Sequence, residues 1–172
     1  SLVHAIIDRC LEGAIEKGKA LADAGVDGLY FGDSSASSSM ISPDHYREYC
    51  APAYKAFITA MRAYKPGLKL YQHCCGDYNP ILEMAAEEGA DALHGLDPSK
   101  GMDLKDIRRR LGKKICLWGG VATGTLLFGT PEEIRRESQQ CIRDGGPEGY
   151  ILDAACAIPP ASSFDNVRAM CE

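Results

Sequence analysis

The chain has 172 residues, 45% of them hydrophobic and 25% charged, with a formal net charge of −5. This composition is typical of a soluble globular domain, and its basic residues are scattered among acidic ones, which argues against a nucleic-acid-binding surface. No apolar run approaches the roughly 18 residues of a membrane span and no secretion signal is seen, so we expect no membrane contact and a cytoplasmic protein.

Helical and strand patterns alternate along the whole chain. In chain order they predict helix 2–25, strand 26–33, helix 42–64, strand 68–75, helix 79–89, strand 90–97, helix 103–112, strand 114–121, helix 130–146, strand 149–156 and helix 162–172. Ser42 and Thr130 each stand before a proline, an arrangement typical of a capped helix start. The serine-rich stretch 34–39 predicts a polar loop after the first strand.

Strands that alternate with helices predict a parallel α/β sheet. Polar or unusual residues follow the strand ends, at Gly32, Asp33, His73, Cys75, Asp97, Gly119, Gly120 and Cys156. This distribution favours a (β/α)8 TIM barrel over a doubly wound sheet, and FGDSSASSS is a poor match to the glycine-rich phosphate loop that the latter requires.

Five strands are too few for a barrel, which needs eight strands and about 250 residues. We therefore expect residues 1–172 to be the C-terminal portion of a single (β/α)8 barrel domain, with about five β/α units. Two open sheet edges would then remain, covered by the N-terminal half of the barrel or by another copy of the chain.

The segment YQHCCGD, residues 71–77, carries the clearest chemical signal. Because side chains alternate along a strand, His73 and Cys75 share one face while Cys74 points to the other. Cys156 ends the last strand, where a closed barrel brings it towards the same point. One imidazole and two thiols are a typical set of zinc ligands, and three ligands leave one coordination position open, as in catalytic zinc sites. The competing interpretation is that the pair is incidental and Cys156 is a packing residue.

Four longer stretches resemble a known family: FGDSSASSSMISPDHYREY, HCCGDYNPILEMAAEEGADAL, LWGGVATGTLLFGTPEEIRR and GYILDAACAIPP. They are similar to the C-terminal half of the uroporphyrinogen decarboxylase superfamily, and within it to the zinc-dependent, corrinoid-linked methyltransferase branch. The resemblance implies that His73, Cys75 and Cys156 bind Zn²⁺. It also implies methyl transfer between a corrinoid and a thiol or a methylated small molecule. Methylcobalamin would arrive on a partner corrinoid protein, since the chain has no D-x-H-x-x-G block of its own.

Several further residues are candidates for the site. Asp33 and Asp77 are predicted catalytic residues, Ser35 and Asp97 are predicted to bind substrate, and Gly120 is predicted to contact the cofactor at the barrel mouth. Asp77 could orient the His73 imidazole, or it could cap the helix that begins at residue 79. Asp97 stands before a proline, which also fits an ordinary turn. His94 is expected to be a core residue.

Two other functions remain open from the sequence. The first is a metal-free uroporphyrinogen decarboxylase; true members of that branch lack the H-x-C pair and carry a histidine near the position of Cys156. The second is a non-catalytic fragment that binds the corrinoid protein or a partner half-barrel. Stoichiometric zinc in the purified protein discriminates the decarboxylase from the methyltransferase.

Overall fold

A computed structural model describes all residues from Ser1 to Glu172. Its helices are α1 (Leu2–Asp23), α2 (Pro43–His45), α3 (Ala51–Tyr64), α4 (Leu82–Ala86), α5 (Leu104–Leu111), α6 (Thr123–Phe128), α7 (Pro131–Gly145) and α8 (Phe164–Cys171). Its strands are β1 (Gly28–Gly32), β2 (Lys69–His73), β3 (Ala92–His94), β4 (Cys116–Val121) and β5 (Tyr150–Ala154). A π-helical turn, Tyr46–Cys50, joins α2 to α3. None of the helices combines the length and hydropathy that a membrane span requires.

All five strands are parallel, and their order in the sheet is their order in the chain, β1-β2-β3-β4-β5. A doubly wound sheet reverses its strand order at a switch point, whereas a (β/α)8 barrel adds each strand beside the previous one. The consecutive order therefore confirms the barrel-type α/β fold that the sequence predicts. Every predicted strand is present, each shorter at its ends than the sequence pattern suggested.

The strand register separates a buried outer face from a functional inner face. Leu93 and Leu117 are neighbours in the ladder, are fully buried and pack against the helix layer. The inner face carries a row of ring side chains at the same height, because His73 pairs with His94 and His94 pairs with Trp118. The register thus gathers the two imidazoles at the C-terminal ends of β2 and β3 beside the indole in the middle of β4.

Apolar surface is exposed at the two outer strands of the open sheet. Beside β1, the α1 residues Leu2 and Ile6 are 77% and 54% exposed, and a mostly apolar cavity of about 520 Å³ lies between α1 and β1. On the other side, Ile151 of β5 is 40% exposed. A strand edge with unpaired backbone groups beside apolar surface is the kind of feature that native proteins cover.

We expect both outer edges to be paired in the purified protein, by a further segment of the barrel or by a second copy. Amide hydrogen exchange should then be as slow in β1 and β5 as in the central strand β3, because paired and covered amides exchange only on opening. Light scattering gives the oligomeric state in the same sample. A monomer of this chain whose β1 and β5 amides exchange rapidly would contradict the prediction.

Candidate metal centre

Two adjacent cysteines after β2 have opposite environments. Along β2, Leu70 is fully buried against the helices, whereas His73 is partly exposed on the inner face. Cys74 is 2% exposed and belongs to the main hydrophobic core, while Cys75 is half-buried beside His73. The alternation of the strand therefore continues for two residues past its last ladder position, as the sequence predicts.

Three predicted ligands converge at the C-terminal edge of the sheet. The Nε2 atom of His73 lies 3.1 Å from the Sγ atom of Cys75, which lies 3.1 Å from the Sγ atom of Cys156. The candidate ligand atoms of all three residues lie within 4.8 Å of one another. One atom placed among them can contact all three.

This convergence depends on the curvature of the sheet. β2 and β5 are separated by β3 and β4, so in a flat sheet with strands about 4.8 Å apart their ends would lie roughly 14 Å apart. Cys156 comes two residues after β5, and the bend of that turn carries its thiol inwards. Barrel-like curvature therefore builds the cluster from segments far apart in the chain.

The donor set fits zinc better than calcium or magnesium, which prefer oxygen ligands. Burial lowers the pKa of His73 to about 4, with the neighbouring His94 as the second cause, so the imidazole is neutral at pH 7 and keeps a lone pair. Burial and the hydrogen bond with Cys75 raise the pKa of the Cys156 thiol. A bound divalent cation would reverse that shift by stabilising the thiolate. The three residues' role as zinc ligands stays a prediction.

His94 and Tyr30 join this cluster, and sequence reasoning missed both. His94 is 7% exposed, as expected of a core residue, but its Nδ1 atom lies 2.9 Å from Nδ1 of His73 and 2.8 Å from Oη of Tyr30. The Tyr30 ring stacks on the His73 ring with centroids 5.3 Å apart. The sequence carries one indication of the contact between the two histidines, which is their position: His73 and His94 are each the last residue of neighbouring strands.

The predicted residues Asp33 and Ser35 lie on the loop after β1, and they contact each other rather than the cluster. The Ser35 amide donates a hydrogen bond of 2.7 Å to Asp33 Oδ1, which stabilises the turn. The intervening residue, Ser34, is the one whose hydroxyl donates to Cys75 Sγ, at 3.7 Å. The loop therefore approaches the site through Ser34.

Asp77 does not orient His73. Its Oδ1 atom accepts a hydrogen bond of 2.8 Å from the Asn79 amide at the start of a 3₁₀ turn, which is the capping alternative. The Nδ1 atom of His73 faces His94 instead. Of the two roles that the sequence leaves open for Asp77, the structure shows the cap, because the chain turns after Cys75 and takes the carboxylate to a helix start. A catalytic role for Asp77 stays a prediction.

Asp97 acts electrostatically on the cluster. It is 7% exposed, it caps the turn Pro98–Lys100 through a 2.8 Å hydrogen bond from the Ser99 amide, and its charge contributes to the raised pKa of Cys156. A substrate-binding role for Asp97 stays a prediction.

Gly120 does not face the mouth of the barrel. A Cβ atom at Gly120 would lie 2.6 Å from Leu104 and 3.1 Å from Cys141, both in the helix layer. A Cβ atom at Gly119 would instead lie 3.6 Å from the His94 ring. Both glycines have positive φ, 113° and 111°, so the ordinary alternation of the strand fails there. The predicted cofactor contact at Gly120 stays a prediction, and Gly119 is the glycine that leaves space beside the His94 ring.

Comparisons with known proteins place the chain among two kinds of relatives. The family model for uroporphyrinogen decarboxylase (URO-D) matches residues 1–172. A uroporphyrinogen decarboxylase of Chlorobium luteolum is 31% identical in an alignment of 175 residues that covers 99% of this chain and 48% of that protein. A methylated-thiol–coenzyme M methyltransferase of Methanosarcina mazei is 28% identical in an alignment of 170 residues that covers 96% of this chain and 42% of that protein.

Among solved structures, a methyltransferase from Methanosarcina mazei matches with a TM-score of 0.86 and 27% sequence identity. The match covers 98% of this chain and 47% of that protein. The chain thus spans about half the length of the relatives that it matches.

Proposed function

The chain belongs to the uroporphyrinogen decarboxylase family, and from that premise we propose that it is part of a zinc-dependent methyltransferase. The methyl group moves between a corrinoid carried by a partner protein and a thiol or a methylated small molecule. Zinc is held by His73, Cys75 and Cys156. The whole protein's activity belongs to this proposal, since the chain spans about half of its relatives.

The observation that carries the proposal is the convergence of one imidazole nitrogen and two thiol sulfurs within 4.8 Å. Metal-free decarboxylation has no use for such a set, whereas a zinc ion bound there would lower the pKa of a substrate thiol or polarise a substrate oxygen. The Methanosarcina relative supports the methyltransferase proposal, because its name specifies transfer from a methylated thiol to coenzyme M, itself a thiol.

The side chains of the site have distinct tasks in this chemistry. His73 offers a neutral Nε2, and the thiolates of Cys75 and Cys156 balance the double charge of the ion. That balance favours exchangeable ligands such as a thiolate or an ether oxygen over tightly held water. Ser34, by donating to Cys75 Sγ, reduces the charge density on that sulfur.

Access to the site comes from the mouth of the barrel. All three predicted ligands are half-buried, so one side of the cluster is open. The exposed turn Asp33–Ser35 lies beside Cys75, and Gly119 presents no side chain towards His94. A turn of small side chains and a glycine therefore border the cluster on the side where a corrinoid protein would approach.

A second candidate, metal-free decarboxylation of uroporphyrinogen, is favoured by a separate observation. The Chlorobium luteolum decarboxylase is 31% identical, slightly more than the 28% of the Methanosarcina methyltransferase. The two candidates make opposite predictions about metal dependence.

The test is to supply the whole purified protein, with the rest of its barrel, with methylcobalamin and candidate thiols, and separately with Co(I) corrinoid and methylated thiols, before and after chelation. We expect one direction of transfer to occur, to disappear when the chelator removes the metal, and to return on addition of Zn²⁺. Uroporphyrinogen is assayed in parallel. Transfer that chelation leaves unchanged, or turnover of uroporphyrinogen alone, would show that the methyltransferase proposal is wrong. No turnover in any assay would favour the non-catalytic alternative.

A further inference from the structure

Two imidazoles meet at the C-terminal ends of β2 and β3. The Nδ1 atoms of His73 and His94 are 2.9 Å apart, and the ring centroids are 4.8 Å apart with an interplanar angle of 35°. At that distance the two nitrogens share a hydrogen, so one ring donates and the other accepts. Which ring donates decides which nitrogen of His73 is left with a lone pair.

The backbone of β5 determines the answer. The Nε2 atom of His94 lies 3.3 Å from the carbonyl oxygen of Ala154, and a carbonyl oxygen can only accept. The two groups that face Nδ1 of His94, the Tyr30 hydroxyl and Nδ1 of His73, can both donate, and a neutral imidazole carries one hydrogen. That hydrogen is on Nε2, where Ala154 accepts it. The Nδ1 atom of His94 therefore has the lone pair and accepts from His73.

From this hydrogen-bond order we propose that His94 is a positioning residue that holds His73 in the Nδ1–H tautomer and leaves its Nε2 lone pair free for a metal ion. The freed Nε2 is the atom that lies 3.1 Å from Cys75 Sγ. The order runs from the Ala154 carbonyl through His94 to His73. Its use for zinc rests on the function proposed above, whereas the tautomer itself is a property of the metal-free protein.

Tyr30 competes with His73 for the same lone pair. Its Oη atom lies 2.8 Å from Nδ1 of His94, so the hydroxyl is a second donor to that nitrogen. Removal of the hydroxyl would leave the His94 lone pair to His73 alone. Tyr30→Phe keeps the ring that stacks on His73 and is the matched control for changes at His94.

The experiment records two-bond ¹H–¹⁵N correlations of the histidine rings in the metal-free purified protein, which distinguish the two neutral tautomers. Zinc affinity is measured on the same samples by competition with a chelating dye. The variants are His94→Phe, which removes the acceptor, His94→Asn, whose Oδ1 occupies a place close to that of Nδ1, and Tyr30→Phe.

We expect the wild type, His94→Asn and Tyr30→Phe to show the Nδ1–H tautomer of His73, and His94→Phe to show a mixture. Zinc affinity of His94→Phe should fall by roughly 10- to 100-fold, the usual effect of losing the partner of a ligating histidine, with substantial recovery in His94→Asn. A merely structural role would lower the stability of both His94 variants alike and would leave the His73 tautomer unchanged.

Three results overturn the proposal: an Nε2–H tautomer of His73 in the wild type, an unchanged Nδ1–H tautomer in His94→Phe, or zinc affinity of His94→Phe equal to that of the wild type. Failure of the proposed function looks different. A wild type that binds no zinc while its His73 tautomer still depends on His94 removes the zinc enzyme and keeps the positioning role. Tight zinc binding that is unaffected in His94→Phe keeps the zinc enzyme and removes the positioning role of His94.

Discussion

Cys75→Ala is expected to lose most of the zinc of the purified protein, whereas Cys74→Ala is expected to keep it. Cys75 is half-buried with its sulfur 3.1 Å from both His73 Nε2 and Cys156 Sγ, and Cys74 is 2% exposed within the apolar core. Binding free energies of about 10–16 kcal/mol for four-ligand zinc sites correspond to roughly 3 kcal/mol per ligand, so one lost ligand weakens binding by more than about 100-fold.

The two neighbouring variants should also separate metal content from stability. Cys74→Ala removes a buried sulfur and leaves a small void, so the metal-free protein should lose on the order of 1 kcal/mol of stability. Cys75→Ala removes a half-exposed side chain and should change the stability of the metal-free protein little. Zinc per chain is measured by mass spectrometry of metals, and stability by urea unfolding in a chelator. Equal zinc retention in the two variants would falsify the assignment of strand faces.

Cys156→Ala provides an independent check of the same cluster from the other side of the sheet. Its sulfur comes from the turn after β5, so its loss leaves the β2 segment unchanged. We expect zinc content to fall as far as in Cys75→Ala. A variant that lost zinc at Cys75 but not at Cys156 would indicate a site confined to the H-x-C pair.

Much of the fold could be predicted because its signals are local. Short apolar runs and glycine stops mark the strands and helices within single stretches of sequence, and the faces of His73, Cys74 and Cys75 follow from strand alternation alone. Their convergence with Cys156 also followed, since strand ends of a barrel point to one mouth. These inferences required no knowledge of which residues face one another across the sheet.

The features that were missed depend on tertiary contacts. Helix α6 has the sequence TGTLLF, which is poor in helix formers, and its C-terminal end is held by the buried Asn166, whose amide donates to Leu126 O at 3.0 Å. The partnership of His94 with His73 depends on the register between β2 and β3. The directions that Gly119 and Gly120 face could not be read from the sequence, because two successive residues with positive φ break the alternation of the strand.

A buried carboxylate on the outer face of the sheet was also missed, for the same reason. Glu88 is 6% exposed, and it accepts hydrogen bonds of 2.7 Å from the Tyr46 hydroxyl and 2.8 Å from the Gln72 amide. The three residues belong to the π-helical turn, to β2 and to the segment after α4, so no sequence window contains them together. Neither partner is cationic, so the buried charge is stabilised by hydrogen bonds alone.

Burial raises the pKa of Glu88 from 4.5 to about 7, against the lowering effect of its hydrogen bonds from Tyr46 and Gln72. The folded state therefore holds a proton on Glu88 between those two pH values, whereas the unfolded state has released it. Stability falls as pH rises through this window and is level above it. The shift corresponds to about 3 kcal/mol at 1.36 kcal/mol for each pH unit. The nearby Tyr46, Tyr54, Tyr78 and Cys50 have raised pKa values and do not titrate in this window.

Glu88→Gln is accordingly expected to stabilise the protein above pH 7, by up to about 3 kcal/mol, and to remove this part of the pH dependence. The new amide has a partner available, because Gln72 Oε1 is buried without a hydrogen bond and can accept from it once the Gln72 amide rotates. The exposed neighbour gives the matched control, since Glu87→Gln removes the same charge from solvent. Urea unfolding of the metal-free protein from pH 5 to pH 8 measures all three proteins. If the stability of Glu88→Gln depends on pH as that of the wild type does, ionisation of Glu88 is not the cause of the pH dependence.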